Sequence, residues 1–478
     1  MPEAPGKRAV RHVVVLGAGP AGLSAAWKLV DAGIRVTVVE AEGTVGGMAA
    51  TQVFQSRQGE FRFDYGGHRF LTKNPELLSF VEQLLGDDLL YAERSSVIRY
   101  CGQTYEYPLA FDNLLKNAPW PLLLGALKDL VWRMIRPPRQ TLPDDQMSFA
   151  DWIIARFGPT LYHHFFEGYT GKLWGIDPKN LSGDWAAQRI SLIDLRDVAR
   201  RLLPSKGATP RTYARHYRYP KLGFGVIFDR LADYVGNRGG QICLNTPVSG
   251  FKFEAGRIRA VLVQQKGQTV DIDADAVISS IPLPQVVRML GEQSSLGFRA
   301  LRFFNMPLSG GDVSPHTWQY LSDPDILATR LQEPRRRSPY MSPPGLSSVM
   351  LEIPCQEGDA LWQSDEQSLR SRVWRDLGSL GIPQTRYLGE EFSAYSAHAY
   401  PLMTMGYEKE RQRNLNFLDQ FRNLVICGRQ GTFRYIFTDT AMEMGMLAAK
   451  SLISGEDLRY DIYNHRNEKT VIEVQSVA

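Results

Sequence analysis

Hydrophobic and polar positions change their period several times along the chain, and each change predicts an element. Residues 13–16 (Val-Val-Val-Leu) form an unbroken apolar run, read as a strand buried on both faces of a parallel sheet. Helical spacing over 23–32 stops at Gly33, and 35–39 is a second strand ending on Glu40. The middle of the chain reads as helical. Ser148-Phe149-Ala150-Asp151 is a capping box opening a helix over 152–157, and 161–168 continues with an aromatic face of Tyr162, Phe165, Phe166 and Tyr169. From 241 to 281 the period falls to two. The runs 248–253, 258–264, 269–272 and 276–281, with turns at Glu254-Ala255-Gly256 and Lys266-Gly267, predict a β-meander. A β-rich stretch is expected from 298 to about 393, broken by proline-rich loops near 333–344. The chain closes with a strand over 423–427, Gly428 and a helix from about 440 to 453.

Composition narrows the class. The 478 residues are 44% hydrophobic and 22% charged, which fits two or three globular units and excludes wholesale disorder. The balance 55 − 51 = +4 is too mild over this length for a nucleic-acid partner. Cys101, Cys243, Cys355 and Cys427 lie far apart without a CxxC pair, so a reducing, cytoplasmic setting is expected. Residues 1–12 are polar and lack a secretory core, and the uncharged stretch 117–127 is too short to span a bilayer. Adjacent helical residues point different ways, so His163-His164 reads as core and surface rather than metal. Residues 118–139 mix leucines and tryptophans with Lys128, Arg133, Arg136 and Arg139. They read as an amphipathic helix packed on the second domain, with peripheral membrane contact as the alternative. Between 196 and 221 lie eight Lys/Arg and one acid, Asp197: a solvated loop, or a patch facing an anion or a membrane.

The first turn carries the chemistry. Gly17-Ala18-Gly19-Pro20-Ala21-Gly22 sits between strand and helix, with Glu40 eighteen residues past the last glycine: a dinucleotide-binding signature. Gly17 permits the tight turn, Gly19 lets the backbone approach a pyrophosphate, and Gly22 lets helix and strand pack closely. The helix N-terminus offers free N–H groups to phosphate, and Glu40 can accept from a ribose hydroxyl.

Gly43-x-x-Gly46-Gly47-Met48 follows Glu40 directly, and with the first motif it resembles FAD-binding proteins of the amine oxidase and protoporphyrinogen oxidase type. Residues 64–70 (Asp-Tyr-Gly-Gly-His-Arg-Phe) are similar to the segment whose glycine pair lies beside the flavin in that group. Residues 224–281 are similar to the strands that return over the adenine, with Val248 at the matching position. Residues 165–182 and 428–435 with Asp439 resemble UDP-galactopyranose mutases, as do Tyr107-Pro108, residues 298–301 and Tyr400-Pro401. The stretch from Trp185 to Arg189 and Arg218-Tyr219-Pro220 resemble longer eukaryotic-type mutases and bacterial relatives.

The resemblance implies an α/β fold with a Rossmann-type FAD-binding domain over 1–75, 205–285 and 415–460. It implies a discontinuous second domain, helical over 76–204 and an antiparallel sheet over 286–414, then a tail at 461–478. Noncovalent FAD would be held by Gly17, Gly19, Pro20, Ala21, Gly22, Glu40, Gly46, Gly47, Met48, Gly66, Gly67, His68, Val248, Gly428, Arg429, Asp439, Thr440 and Ala441. By the same resemblance Arg429 meets the FAD phosphates, and Tyr400 and Tyr435 donate to a sugar-nucleotide diphosphate. Arg189 and Arg299 bring charge to it, Trp174 lies near sugar and flavin, and His68 sits over the flavin. Phe437-Thr438 departs from the family's last motif, which leaves the substrate open.

No motif supplies a nucleophile triad, paired carboxylates or a metal cluster, so the reactive centre is the cofactor. The resemblance implies reduced flavin N5 acting on a nucleotide-linked sugar in pyranose/furanose ring isomerisation, with NAD(P)H as candidate reductant. The alternative is an FAD-dependent oxidoreductase taking a hydride from a small or apolar substrate. A structural, non-catalytic FAD ranks third.

Overall fold

The computed structural model describes residues 10–107, 113, 116–136, 143–190 and 216–465. Arg189's side chain, the basic stretch 196–215 and most of the tail at 461–478 lie outside the described residues.

The opening segment folds as β1 (His12–Leu16), α1 (Pro20–Asp31) and β2 (Arg35–Val39). They belong to a five-stranded parallel sheet in the order Leu424–Ile426, Ala276–Ser279, β1, β2, Gln241–Cys243. Every residue of β1 is buried, which explains its unbroken apolar pattern. Helix α1 crosses the closing helix Thr438–Ser454 at Gly445, where a Cβ would fall 2.0 Å from the Ala21 carbonyl oxygen. Only glycine allows that approach.

Three of the four meander strands form an antiparallel sheet: Val248–Glu254, Arg257–Gln265 and Gln268–Asp273. The fourth does not join it. Ala276–Ser279, buried at all four positions, pairs in parallel with β1. A run buried at every position belongs in the core, not on a meander's edge. Asn423 ties the two sheets, donating to the Ile258 and Asp275 carbonyls (2.8 and 2.9 Å) and accepting from Ile258 N–H (2.9 Å).

A seven-stranded sheet faces this unit, in the order Phe392–Pro401, Phe298–Ser309, Leu346–Cys355, Arg330–Gln332, Trp318–Leu321, Ser96–Tyr100, Gln103–Glu106. Its last two strands correct the reading of 76–204 as helical. Ser96–Tyr100 and Gln103–Glu106 form a hairpin, turning at Cys101 and Gly102 with φ +49° and +72°, and Ser96–Tyr100 pairs in parallel with Trp318–Leu321. Leu89–Glu93 is also a strand, antiparallel to His216–Pro220. Within the β-rich part, the helix Glu366–Ser379 packs Leu369, Val373, Trp374 and Leu377 beneath Phe304, Met306 and Leu308.

Ser148 caps its helix by accepting from Asp151 N–H (3.0 Å), and the helix starts at Phe149, ahead of the expected position. After Gly158 the backbone widens into a π-helix over Tyr162–Glu167, burying Tyr162 and Phe165, before Gly168–Trp174 resumes the α form. Such bulges re-aim the side chains that follow.

The Trp120–Ile135 helix corrects the packed amphipathic reading. Leu122 alone is buried, whereas Trp120, Leu124, Leu127, Val131, Met134 and Ile135 are exposed. The inward side is held by polar contacts: Asp129 accepts from Thr160 N–H (2.8 Å), and Arg133 donates to the Ala155 and Arg156 carbonyls. None of the described helices is long and apolar enough to cross a membrane.

Candidate active site

The glycine turn builds an open cradle. Gly17 adopts φ +93°, and Gly22 is forced by the turn itself, since a Cβ there would lie 1.9 Å from the Gly17 carbonyl oxygen. Gly19 has nothing within 4 Å of its Cβ direction, and it caps α1 without a side-chain bond; Pro20 starts the helix, and Ala21 and Gly22 offer the open N–H groups of its first turn. Gly46 donates to the Ala18 carbonyl (2.9 Å), which brings Gly47 to face Gly19 across that space. Glu40 accepts from Ala18 N–H (2.7 Å) and Glu42 N–H (3.0 Å), while burial raises its carboxyl above the usual range. Thr246 N–H donates to the Glu40 carbonyl (2.7 Å), setting Val248 alongside.

The closing segment completes the cradle. Gly428, at φ +79°, lets the strand–helix turn meet Ala21. Arg429 donates to the Ile436 carbonyl and lies 4.6 Å from the Tyr435 ring. Asp439, Thr440 and Ala441 lie buried in the first turn of the Thr438–Ser454 helix, and burial pushes the Asp439 carboxyl up to about 7. The open space at Gly19 and Gly47 and the two helix N-termini fit a dinucleotide.

A cavity runs on from this cradle, lined by Met48 and Thr438 at one end and by Gly66, Gly67, Tyr400 and Tyr435 farther in. His68 Nε2 lies 3.0 Å from the Tyr65 carbonyl oxygen; a carbonyl only accepts, so Nε2 carries the proton. Its ring stacks on Phe224 at 5.0 Å, and burial lowers its pKa to about 4. His68 is therefore neutral at pH 7.

Four aromatic rings from separate segments form one wall. Trp174 meets Trp185 (4.9 Å) and Tyr400 (5.9 Å), Trp185 meets Tyr435 (4.9 Å), and Tyr400 meets Tyr435 (5.6 Å). Tyr400 and Tyr435 line the cavity, and Trp174 stands behind them. Arg299 pairs in register with Tyr400 but points elsewhere: its Nε donates to the Leu173 carbonyl (3.0 Å) and its Nη1 to Gln356 (3.3 Å), over Gly175.

Sequence reading missed the floor. Arg330 pairs with Glu352 (3.3 Å), Gln332 donates to Glu352, and Arg330 Nη2 lies 3.5 Å from the Tyr400 hydroxyl. Arg94 sits between the rings of Tyr107 and Trp318 (5.6 and 5.8 Å). No motif marks Arg94, Arg330, Gln332 or Glu352. The sole signal was charge inside short strands, at Arg330 and Glu352. Lys172 Nζ lies 2.7–3.1 Å from the carbonyl oxygens of Leu321, Asp323, Ile326 and Ala328, which share its three N–H groups.

A parallel sheet with an open glycine turn, facing a mixed sheet across a cavity, defines a dinucleotide-dependent α/β protein. The family described as "Flavin containing amine oxidoreductase" matches residues 20–453, and the chain belongs to that family. The chain is 22% identical over 454 residues to a Klebsiella pneumoniae protein described as "Probable UDP-galactopyranose mutase", covering 93% of this chain and 95% of that one. It is 48% identical over 458 residues to an all-trans-zeta-carotene desaturase of Myxococcus xanthus, covering 79% of each. Its fold resembles a crystal structure of reduced UDP-galactopyranose mutase with a TM-score of 0.76 at 20% identity, covering 95% and 98% of the two chains.

Proposed function

We propose that the chain holds FAD noncovalently in the cradle and acts on a nucleotide-linked sugar, isomerising its ring. The aromatic wall supports this: Tyr400 and Tyr435 line the cavity, backed by two tryptophans. Bound flavin supplies the reactive centre, a nucleophilic N5 when reduced. In this reading Tyr400 and Tyr435 donate to the leaving diphosphate, and Arg429 contributes charge to the phosphates. Arg299, by holding the Leu173 carbonyl, fixes Trp174 behind the wall instead of touching substrate. Residues 1–75, 205–285 and 415–460 form the cofactor part of this scheme, and 76–204 with 286–414 cap the ring. The outward apolar stripe of Trp120–Ile135, with exposed Lys128 and Arg136, fits contact with an anionic lipid surface.

Calorimetric titration of UDP into the dithionite-reduced protein tests the reading. Saturable binding that Tyr435→Phe weakens by about 0.5–1.5 kcal/mol is expected. If UDP does not bind, the second reading, hydride removal from an apolar substrate, takes first place. Leu71, Leu301, Phe303 and Trp318, which line the same cavity, favour it.

A further inference from the structure

One buried charge in the described residues is left over. Arg337 follows the short turn Pro334–Arg336 and is 3% exposed, yet its Nε, Nη1 and Nη2 meet no hydrogen-bond partner. The carboxylates around it are already engaged. Glu352 takes Arg330 and Gln332; Glu333 accepts from Val313 N–H, Ser314 N–H and the Ser347 hydroxyl. Asp64 accepts from Thr51, Tyr219 and Phe224 N–H. What Arg337 does face is the Tyr219 ring, 6.0 Å away, and the Gly66–Gly67 turn. Its Nη2 lies 3.7 Å from the place a Cβ on Gly67 would occupy, beside Arg330 Nη1 at 3.0 Å and Gln332 Oε1 at 3.4 Å. Arg330 Nε and Gln332 Oε1 are orphaned as well.

A guanidinium taken out of water without a counter-charge is strongly disfavoured, so a persistent one implies an anion that arrives with a ligand. The cavity on the other side of Gly66–Gly67 is the one that continues from the dinucleotide cradle. Taking up two electrons and one proton leaves a flavin ring with one net negative charge. We propose that Arg337 is the counter-charge for this reduced ring and raises the reduction potential of the bound cofactor from behind the Gly66–Gly67 turn. Arg330, cancelled by Glu352, cannot serve in the same way. The inference rests on FAD occupying the cavity and is independent of the substrate.

The test is anaerobic reduction of the FAD-loaded protein beside a reference dye, for wild type, Arg337→Met and Arg337→Lys. Loss of the charge should weaken the preference for reduced flavin at least tenfold, lowering the two-electron midpoint by about 30 mV or more. Arg337→Lys should restore most of that drop. The ionisation of the reduced ring, read from its ultraviolet spectrum, should move to higher pH in Arg337→Met only. Should Arg337→Met fail to fold, Arg337→Gln gives the same neutral comparison. A change of less than twofold (about 9 mV) in the neutral variant overturns the proposal, whatever its melting temperature does. A wild-type protein that takes no FAD overturns the cofactor reading and this inference together; flavin-loaded protein with an unmoved potential overturns this one alone.

Discussion

At the residue scale, the glycines and Glu40 make the sharpest claims. Gly19 borders open space, so Gly19→Val should fold with near wild-type melting yet copurify without flavin, read as the 450 nm to 280 nm absorbance ratio. Glu40 takes two backbone N–H groups besides any ribose hydroxyl. Glu40→Ala should therefore weaken FAD by about 1.5–3 kcal/mol and also loosen the turn at Ala18, measured by fluorescence titration and melting of the apoprotein. His68 gives a pH signature. Its folded pKa near 4 lies below the 6.5 of an unfolded histidine, so between these values the unfolded chain binds the extra proton. Stability is whole above about pH 6.5 and falls as pH drops toward 4, by at most about 3 kcal/mol. His68→Asn should flatten that part of the denaturation profile. An unchanged slope would mean the imidazole charges in the fold.

At the element scale, legibility depended on what a pattern encodes. β1 was readable because burial on both faces keeps Val13 to Leu16 apolar without a break. Ala276–Ser279 was readable as a strand, but its partner was not, because pairing with β1 is a long-range choice. The Trp120–Ile135 helix shows the same limit. Spacing reveals a stripe and says nothing about which way it faces; Asp129 and Arg133 settle that by bonding inward. With the stripe outward, wild type should sediment with phosphatidylglycerol vesicles, and Leu124→Glu/Leu127→Glu should lose that binding with little change in melting. Arg299 marks a different gap. Its motif was visible, but its rotamer depends on Gly175 leaving room above the Leu173 carbonyl. Arg299→Ala should cost about 1–3 kcal/mol of stability through that carbonyl's lost partner, seen in urea denaturation.

At the scale of the molecule, the cavity draws on segments between 48 and 439, so nearly the whole chain must be in place before a site exists. That is why the glycine turn of the cradle, local to one βαβ unit, was legible, whereas the Arg330–Glu352 floor, made by register between distant strands, was not. Lys172 shows what such assembly entails. Its ammonium, ringed by four carbonyls of the 321–328 loop, occupies the place a potassium ion would take in a backbone cage, except that this ion is tethered to the helix carrying Trp174. A tethered ion neither leaves with dilution nor exchanges with the buffer. Loop and helix must then open together, and hydrogen exchange of both should share one rate that added potassium leaves unchanged.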